Sequence, residues 1–211
     1  MTKRLLRYAA GILAGGVLAV LPATPAVAAV STPAKPIPEI ATTSAPAALV
    51  PYGSSVTVGF TVTADDVPLK RRLVQLCTGT TSANLKCTKA YTSATGVVTL
   101  KKPKLTTPLY VKVAAPADAT TGPATSELVT VRPQVGVTVT RKGQTATVTL
   151  SAAAKQWLLV ERQVGSEWEF TGTVVQAKTA KITIPYLWSW ENYRVIVSDT
   201  PGVAGTISGT V

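Results

Sequence analysis

The stretch SVTVGFTVTA, residues 55–64, alternates apolar and small or polar residues over its whole length. A period of two is typical of a half-buried β-strand, in which successive side chains point to opposite faces of the sheet. Short segments of the same kind, rich in Val and Thr, follow along the chain and are separated by Gly, Pro, Ser or Asp. The sequence therefore predicts an all-β protein, either a sandwich or a barrel.

The order of these segments repeats. Residues 53–58 (GSSVTV) resemble residues 143–148 (GQTATV), and the strand that contains Tyr193 resembles the strand that contains Tyr110. One order of strands thus occurs twice, which predicts two tandem sandwiches. Pro133 lies near the expected boundary, and a proline cannot donate to a ladder of hydrogen bonds, which suits a break between domains.

The expected organisation has four parts. Residues 1–29 are predicted to be a signal peptide and residues 30–49 an extended tail rich in Pro, Ala and Thr. The predicted β-sandwich domains are residues 50–132 and residues 133–211.

The N-terminus has the features of a secretory signal. Lys3, Arg4 and Arg7 precede an apolar run, and the sequence AVA at residues 26–28 has the small-x-small pattern that signal peptidase accepts. The run is too short and wrongly flanked for a spanning helix. We therefore expect a secreted protein without a membrane span, either free or associated with the cell wall; an uncleaved membrane anchor is the alternative.

The chain is basic. Its 21 Lys and Arg against 10 Asp and Glu give a formal net charge of +11, or +8 without the three basic residues of the signal. Outside a cell, this charge favours wall polymers, acidic glycans or membrane surfaces as partners over nucleic acid. A solvated face that keeps the protein soluble is the alternative. The candidate basic patch consists of Lys70, Arg71, Arg72, Lys101, Lys102 and Lys104.

The chain has two cysteines, Cys77 and Cys87, in the segment CTGTTSANLKC. In an exported chain, an even number of cysteines in a polar, Gly-containing segment predicts one disulfide. A metal site would need more ligands, and the chain contains no histidine to supply them. We expect neither a metal nor a cofactor.

The second half contains the strand WLLVER, a G-x-x-W hairpin at residues 165–168, a Y-R-V strand and a closing strand of small residues. In these features it resembles the immunoglobulin-like modules of secreted actinobacterial proteins. The first half, with ADDVPLKRRLVQL, resembles bacterial modules in which a turn before Pro-Leu introduces a strand, although Asp65-Asp66 stands where Asp-Gly is usual. The resemblance implies two immunoglobulin-like β-sandwiches that serve adhesion, spacing or partner binding, and it supplies no catalytic residues.

Aromatic residues are the candidates for contacts with a partner or a glycan. Tyr193 and Tyr110 begin the penultimate strands, where such sandwiches place a tyrosine that hydrogen-bonds to the backbone. A buried ring removes about 150–250 Å² from water, so for the pair in PYLWSWEN the default expectation is burial in the core or the domain seam. An exposed pair that binds a sugar or a protein is the alternative. The four candidates are Trp157, Trp168, Trp188 and Trp190.

Catalysis has little support in the sequence. Without histidine there is no imidazole base for a serine or thiol nucleophile. Glu161, Glu167 and Glu169 flank the hairpin at Gly165. Their spacing alone does not exclude a glycosidase that works with two paired carboxylates. We expect that the protein is not an enzyme.

Three functional classes remain. The first is a protein-binding adaptor, for example a subunit of a toxin particle or a surface appendage, which docks through its tail or sandwich edges. The second is a module that binds a carbohydrate or an anionic wall polymer, and the third is a small-molecule carrier. The first is favoured because prolines restrict the tail and lower the entropy lost on docking. The candidate docking residues are Pro33, Pro36, Ile37, Pro38 and Ile40.

Overall fold

The computed structural model describes residues 34–152 and 155–211, so the expected signal peptide and Pro33 lie outside the described residues. Within these two ranges the chain forms β-strands and no helix. The described residues accordingly contain no helix that is long and apolar enough to cross a membrane.

The first sandwich has two sheets. In one, β3 lies between β1 and β7, and β4 pairs with the end of β3; in the other, the order is β2-β10-β8-β5-β6, with β9 on β8. All pairs are antiparallel except that of β2 with β10, which is parallel. The strands are β1 (Glu39–Ser44), β2 (Leu49–Pro51), β3 (Val56–Ala64), β4 (Val67–Pro68), β5 (Leu73–Gly79), β6 (Lys86–Tyr91), β7 (Val97–Lys102), β8 (Leu109–Ala115), β9 (Ala124–Thr125) and β10 (Val129–Gln134).

The second sandwich repeats this order. Its sheets are β11-β12-β15 and β14-β13-β16-β17, and they correspond to β1-β3-β7 and β6-β5-β8-β10 of the first. This arrangement is that of an immunoglobulin-like sandwich, so the prediction of an all-β chain with tandem immunoglobulin-like sandwiches is confirmed. The strands are β11 (Val137–Lys142), β12 (Thr145–Leu150), β13 (Trp157–Val164), β14 (Glu167–Gln176), β15 (Lys181–Ile184), β16 (Tyr193–Val197) and β17 (Thr206–Ile207).

Each sandwich has its own hydrophobic core. The alternation in SVTVGFTVTA places Val58, Phe60 and Val62 in the first core, where all three are fully buried. In β13, Leu158 and Val160 are likewise fully buried in the second core. Burial of each such side chain contributes about 1.5–3 kcal/mol to folding before the loss of chain entropy.

The chain passes from the first core to the second at the end of β10. Val131 belongs to the first core and Val135, just after the strand, to the second. The proline at the expected boundary does not interrupt the strand: Pro133 is buried, and its carbonyl accepts a hydrogen bond from the N–H of Ala204 at 2.8 Å.

The described part of the expected N-terminal tail belongs to the first sandwich and does not extend freely from it, while its role in docking stays a prediction. β1 pairs along β3, from Glu39 opposite Thr63 to Ser44 opposite Gly59. Ile40 packs against the first core. The physical reason is that β3 would otherwise leave unpaired N–H and C=O groups along one edge.

The residues before β1 also contact the domain. Pro38 is buried, whereas Pro36 and Ile37 are exposed. The carbonyl of Pro36 accepts a hydrogen bond from the N–H of Gly122 at 2.9 Å. The described part of the segment therefore lies along its own sandwich.

The disulfide is confirmed. Cys77 and Cys87 are bonded and lie directly opposite each other on the neighbouring strands β5 and β6. The bond closes the hairpin within one sheet, with Cys77 buried and Cys87 exposed.

The proposed equivalence of the two tyrosines is wrong. Tyr193 faces the second core together with Val195, whereas in β8 the core residues are Leu109 and Val111, so that Tyr110 points away from the core. A shift of one residue exchanges the two faces of a strand.

We predict that Ile40→Asp lowers the free energy of unfolding of the first sandwich by about 2–3 kcal/mol, because a charge replaces an apolar contact with the core. Ala41→Asp is the matched control on the exposed side of β1, with an expected loss below about 1 kcal/mol. Urea unfolding followed by far-UV circular dichroism measures both. All four tryptophans lie in the second sandwich, so their fluorescence should report an unchanged transition. Equal losses for the two variants would contradict the docking of β1.

Replacing both cysteines by serine should destabilise the first sandwich by about 3 kcal/mol, because the ten-residue separation is no longer closed in the unfolded chain. The same pair of readouts tests this: the circular dichroism transition moves to lower urea, and the tryptophan transition stays. A tryptophan transition that moves equally would show that the two sandwiches unfold as one unit.

Candidate functional site

The connection between β15 and β16, residues 185–192, carries three exposed rings; we call it the aromatic loop. Tyr186 is 87% exposed, Trp188 52% and Trp190 74%. The rings of the two tryptophans lie 4.9 Å apart between centroids, with their planes tilted by 36°. The default expectation that these tryptophans are buried is therefore wrong.

The backbone of the aromatic loop is fixed by contacts with the second sandwich. Leu187 is buried in the second core, and its N–H donates to the carbonyl of Gln144 at 2.9 Å. The guanidinium of Arg141, on β11, donates to the carbonyl of Glu191 at 2.7 Å and also to the carbonyl of Trp188. One buried side chain and one arginine thus fix the loop on both sides of the exposed rings.

Tyr193 adds a third support. Its hydroxyl accepts a hydrogen bond from the N–H of Trp188 at 3.0 Å and donates to the Glu191 carboxylate at 2.5 Å. Arg141 lies over its ring, 5.3 Å from the centroid. Burial, and then the hydrogen bond to Glu191, raise the pKa of Tyr193 above its usual 10.0. The expected bond from this tyrosine to the backbone is present, and its target is the aromatic loop.

The aromatic loop contains one residue, Tyr186, in an unusual backbone conformation, although its ring is exposed. Tyr186 has a φ of 65°, a region that bulky residues seldom adopt. The surrounding contacts must hold such a residue in place, and strained backbone of this kind is concentrated at functional sites. The loop therefore presents aromatic surface to solvent from a fixed backbone.

A groove of about 440 Å³ lies beside the loop. Tyr186, Trp188 and Glu191 line one side, and Phe170 and Thr171 line the other. The β14 side is shaped by a bulge: the partner register steps from Glu161 opposite Phe170 to Leu159 opposite Val174. Bulges re-aim side chains and are common beside functional sites.

The charged groups at the groove are already paired. Arg162 lies 3.4 Å from Glu191 and 3.5 Å from Glu169. Glu161 points to the opposite face of the sheet, where it pairs with Arg194 at 2.6 Å. Glu161 and Glu169 thus lie on opposite faces of the sheet, each beside an arginine, so these two do not form a pair of carboxylates across one cleft. In the described ranges no group of three or more His, Cys, Asp or Glu is placed to hold a metal ion.

The four candidate tryptophans form two separate groups. Trp188 and Trp190 belong to the aromatic loop, whereas Trp157 and Trp168 lie on the outer face of the sheet β14-β13-β16-β17. Trp157 is 49% exposed, and Trp168 is partly covered by Arg194, whose guanidinium carbon lies 4.5 Å from the ring centroid.

The predicted basic patch does not form as one surface. Arg72 is buried, pairs with Asp118 and donates to the carbonyl of Pro116. Lys101 lies opposite Thr57 near the start of β3.

Lys70 and Arg71, both exposed, follow the other end of β3, where the N–H of Leu69 donates to the carbonyl of Val62. Five residues of strand separate Thr57 from Val62, so the two clusters are about 17 Å apart along β3. Exposed Lys102 and Lys104 belong with Lys101.

Sequence reasoning missed Tyr186, Phe170 and Arg141. Tyr186 stands two residues before Trp188 and completes an alternating run of rings, which was a usable signal. Arg141 is distant in sequence from the loop it anchors, and no local pattern marks it.

No protein-family model matches the chain, and no curated protein matches it. Among solved structures, a two-domain fibronectin type III segment of chicken tenascin is similar over 84% of this chain and 96% of that one, with 13% identity and a TM-score of 0.46. A tetra-tandem repeat from the extending region of a large adhesion protein is similar over 83% and 49%, with 12% identity and a TM-score of 0.38.

The chicken interferon gamma receptor alpha chain is similar over 74% of this chain and 90% of that chain, with 8% identity and a TM-score of 0.40. The assignment of the fold to this chain rests on its own strand order and pairing.

Tyr193→Phe should lower the free energy of unfolding of the second sandwich by about 1–2 kcal/mol, because the N–H of Trp188 loses its acceptor. The hydroxyl also makes stability depend on pH. Below pH 10 both states keep the phenol neutral, and its contribution is complete. As the pH rises through the raised pKa of the folded state, that contribution is lost, because the unfolded state ionises first.

Urea unfolding followed by tryptophan fluorescence, at about pH 8 and about pH 10.5, measures this effect. The difference between the wild type and Tyr193→Phe should shrink at the higher pH. A difference that does not change with pH would contradict the assigned hydrogen bonds.

Proposed function

We propose that this protein is a secreted, non-catalytic binding protein that docks onto another protein through its aromatic loop. The main support for this proposal is the exposed pair of rings, Trp188 and Trp190. The backbone that carries them is held in place by hydrogen bonds to Arg141 and Tyr193. Tryptophan, tyrosine and arginine are the residues most enriched at the energetic centres of protein interfaces.

Rigidity supports this role. Association loses free energy when loops and side chains must be ordered at the interface, by about 0.5–1.5 kcal/mol for each flexible side chain. In the aromatic loop the backbone is fixed before any partner arrives, by Leu187 in the core and by the hydrogen bonds from Arg141. Most of the free energy from burying the rings is then available for binding.

The shape of the ring pair favours a protein over a sugar. The 36° tilt between the two planes means that they do not form one flat platform for a pyranose face. A tilted pair instead projects as a ridge, with the groove of about 440 Å³ beside it to receive a partner's side chain. Ridge and groove together suit an irregular protein surface.

A glycan is the second candidate, because the groove combines ring faces with polar groups. Tyr186 and Trp188 stand there beside the hydroxyls of Thr171 and Thr173. Apolar faces with a few convergent polar groups are typical of small-ligand sites. The adaptor role in a larger extracellular assembly, and the setting outside the cell, belong to the same proposal; the latter is supported by the disulfide and by the predicted signal.

The experiment is capture of a partner from the producing organism's culture medium and cell-surface fraction, using the purified chain as bait. Trp188→Ala and Trp190→Ala should each weaken binding of the captured protein by about 30-fold or more, which corresponds to at least about 2 kcal/mol. Affinities are then measured with the purified partner.

Tyr91→Ala is the matched control, since Tyr91 is an exposed ring on the first sandwich and should leave binding unchanged. Sedimentation with purified wall polymer, reversed by soluble oligosaccharide and lost in Trp188→Ala, would replace the protein partner by a glycan. Binding that neither tryptophan variant affects would exclude the aromatic loop altogether.

A further inference from the structure

An apolar row crosses the outer face of the sheet β14-β13-β16-β17. Leu159 lies opposite Val174 on one side and Ile196 on the other, and Ile196 lies opposite Ile207. Leu159 and Ile196 point away from the core, because their neighbours Leu158, Val195 and Val197 are buried. Val174 and Ile207 lie opposite them on the same face and are about half exposed. With Trp157 on the same face, these residues form what we call the outer apolar face.

The corresponding row of the first sandwich carries polar residues. There Gln75 lies opposite Lys89 on one side and Ala114 on the other, in the row that corresponds to Val174–Leu159–Ile196. At this row, the same strand order thus carries Gln75 and Lys89 in the first sandwich and only aliphatic residues in the second. The contrast shows that the fold itself does not require apolar residues here.

We infer that the outer apolar face is the docking surface for a second copy of this chain, and that two copies form a weak dimer with two-fold symmetry. Trp157, Val174 and Ile207 are each about half exposed, and with their neighbours they offer on the order of 400 Å² of apolar surface per copy. Two such faces bury less than a standard interface, which is the size class of weak, reversible associations.

The charged residues on this face fit a second copy of the chain as the partner. Glu161 on β13 and Arg194 on β16 lie directly opposite each other, at 2.6 Å, next to the apolar row. A two-fold axis parallel to the strands and midway between β13 and β16 would place Glu161 of one copy over Arg194 of the other. The same axis would bring Leu159 over Ile196. The face is therefore complementary to itself in charge and in apolar character, as an isologous interface requires.

The distribution of net charge agrees with this. Residues 133–211 contain seven basic and five acidic side chains, whereas residues 50–132 contain ten and four. Two second sandwiches repel each other less than two first sandwiches would, because their net charge is smaller. Because the aromatic loop is a different surface, the dimer does not depend on the proposed binding function.

Sedimentation equilibrium of the purified chain between about 1 and about 500 μM tests the inference. The expected result is a reversible monomer–dimer equilibrium that Val174→Glu weakens by at least about tenfold, because it buries an unpaired charge. Val164→Glu is the matched control: it lies in the same hairpin, is 44% exposed against 49% for Val174, and is outside the row. A monomer at every concentration, or equal loss in both variants, overturns the inference.

A charge exchange separates a second copy from any other partner. Glu161→Arg and Arg194→Glu should each abolish self-association, since both create like charges across the two-fold axis. Mixed in equal amounts, the two variants should associate at least about tenfold more tightly than either alone. Tryptophan fluorescence checks that both are folded. Failure of the mixture to associate when both variants are folded, or self-association that only Trp190→Ala removes, overturns the assigned interface.

Discussion

Unpaired backbone groups at strand edges are the constraint around which both sandwiches are organised. In the first sandwich, β1 and β2 take up residues that could otherwise have remained an extended tail, and they cover the edges of β3 and β10. In the second, β14 is an edge strand, and a bulge after Phe170 interrupts its regular ladder. Pairing in one case and distortion in the other both remove a long flat edge from solvent.

The same constraint decides where binding surfaces can form. Besides the strand edges that remain at the ends of the sheets, the candidate surfaces are the connecting loops and the outer faces of the sheets. The second sandwich offers both: its loop between β15 and β16 carries exposed tryptophans, and its outer face carries an aliphatic row. The outer face of the first sandwich carries the Cys77–Cys87 bond and the pair Gln75–Lys89 where the second sandwich has its aliphatic row.

Periodicity in the sequence was sufficient for the strands and their repetition, because burial of one strand face is a local property of alternating residues. It failed where distant groups decide the outcome. In the sequence, Ile40 looks like part of an extended docking tail, because nothing local shows that its segment pairs with β3. Arg72 looks like part of a basic patch, but Asp118 lies 46 residues further along the chain and pairs with it. Trp188 looks like a core residue because nothing local indicates that Arg141 supports its loop.

Self-association through the outer apolar face would strengthen binding through the aromatic loop. A dimer through the outer apolar face presents two aromatic loops, each anchored by its own Tyr193 and Arg141. A partner with repeated sites then binds the second loop at the effective concentration set by the first, which raises overall affinity without new contacts. The modest area of each surface is consistent with this, since a protein that binds through two copies needs neither surface to be strong on its own.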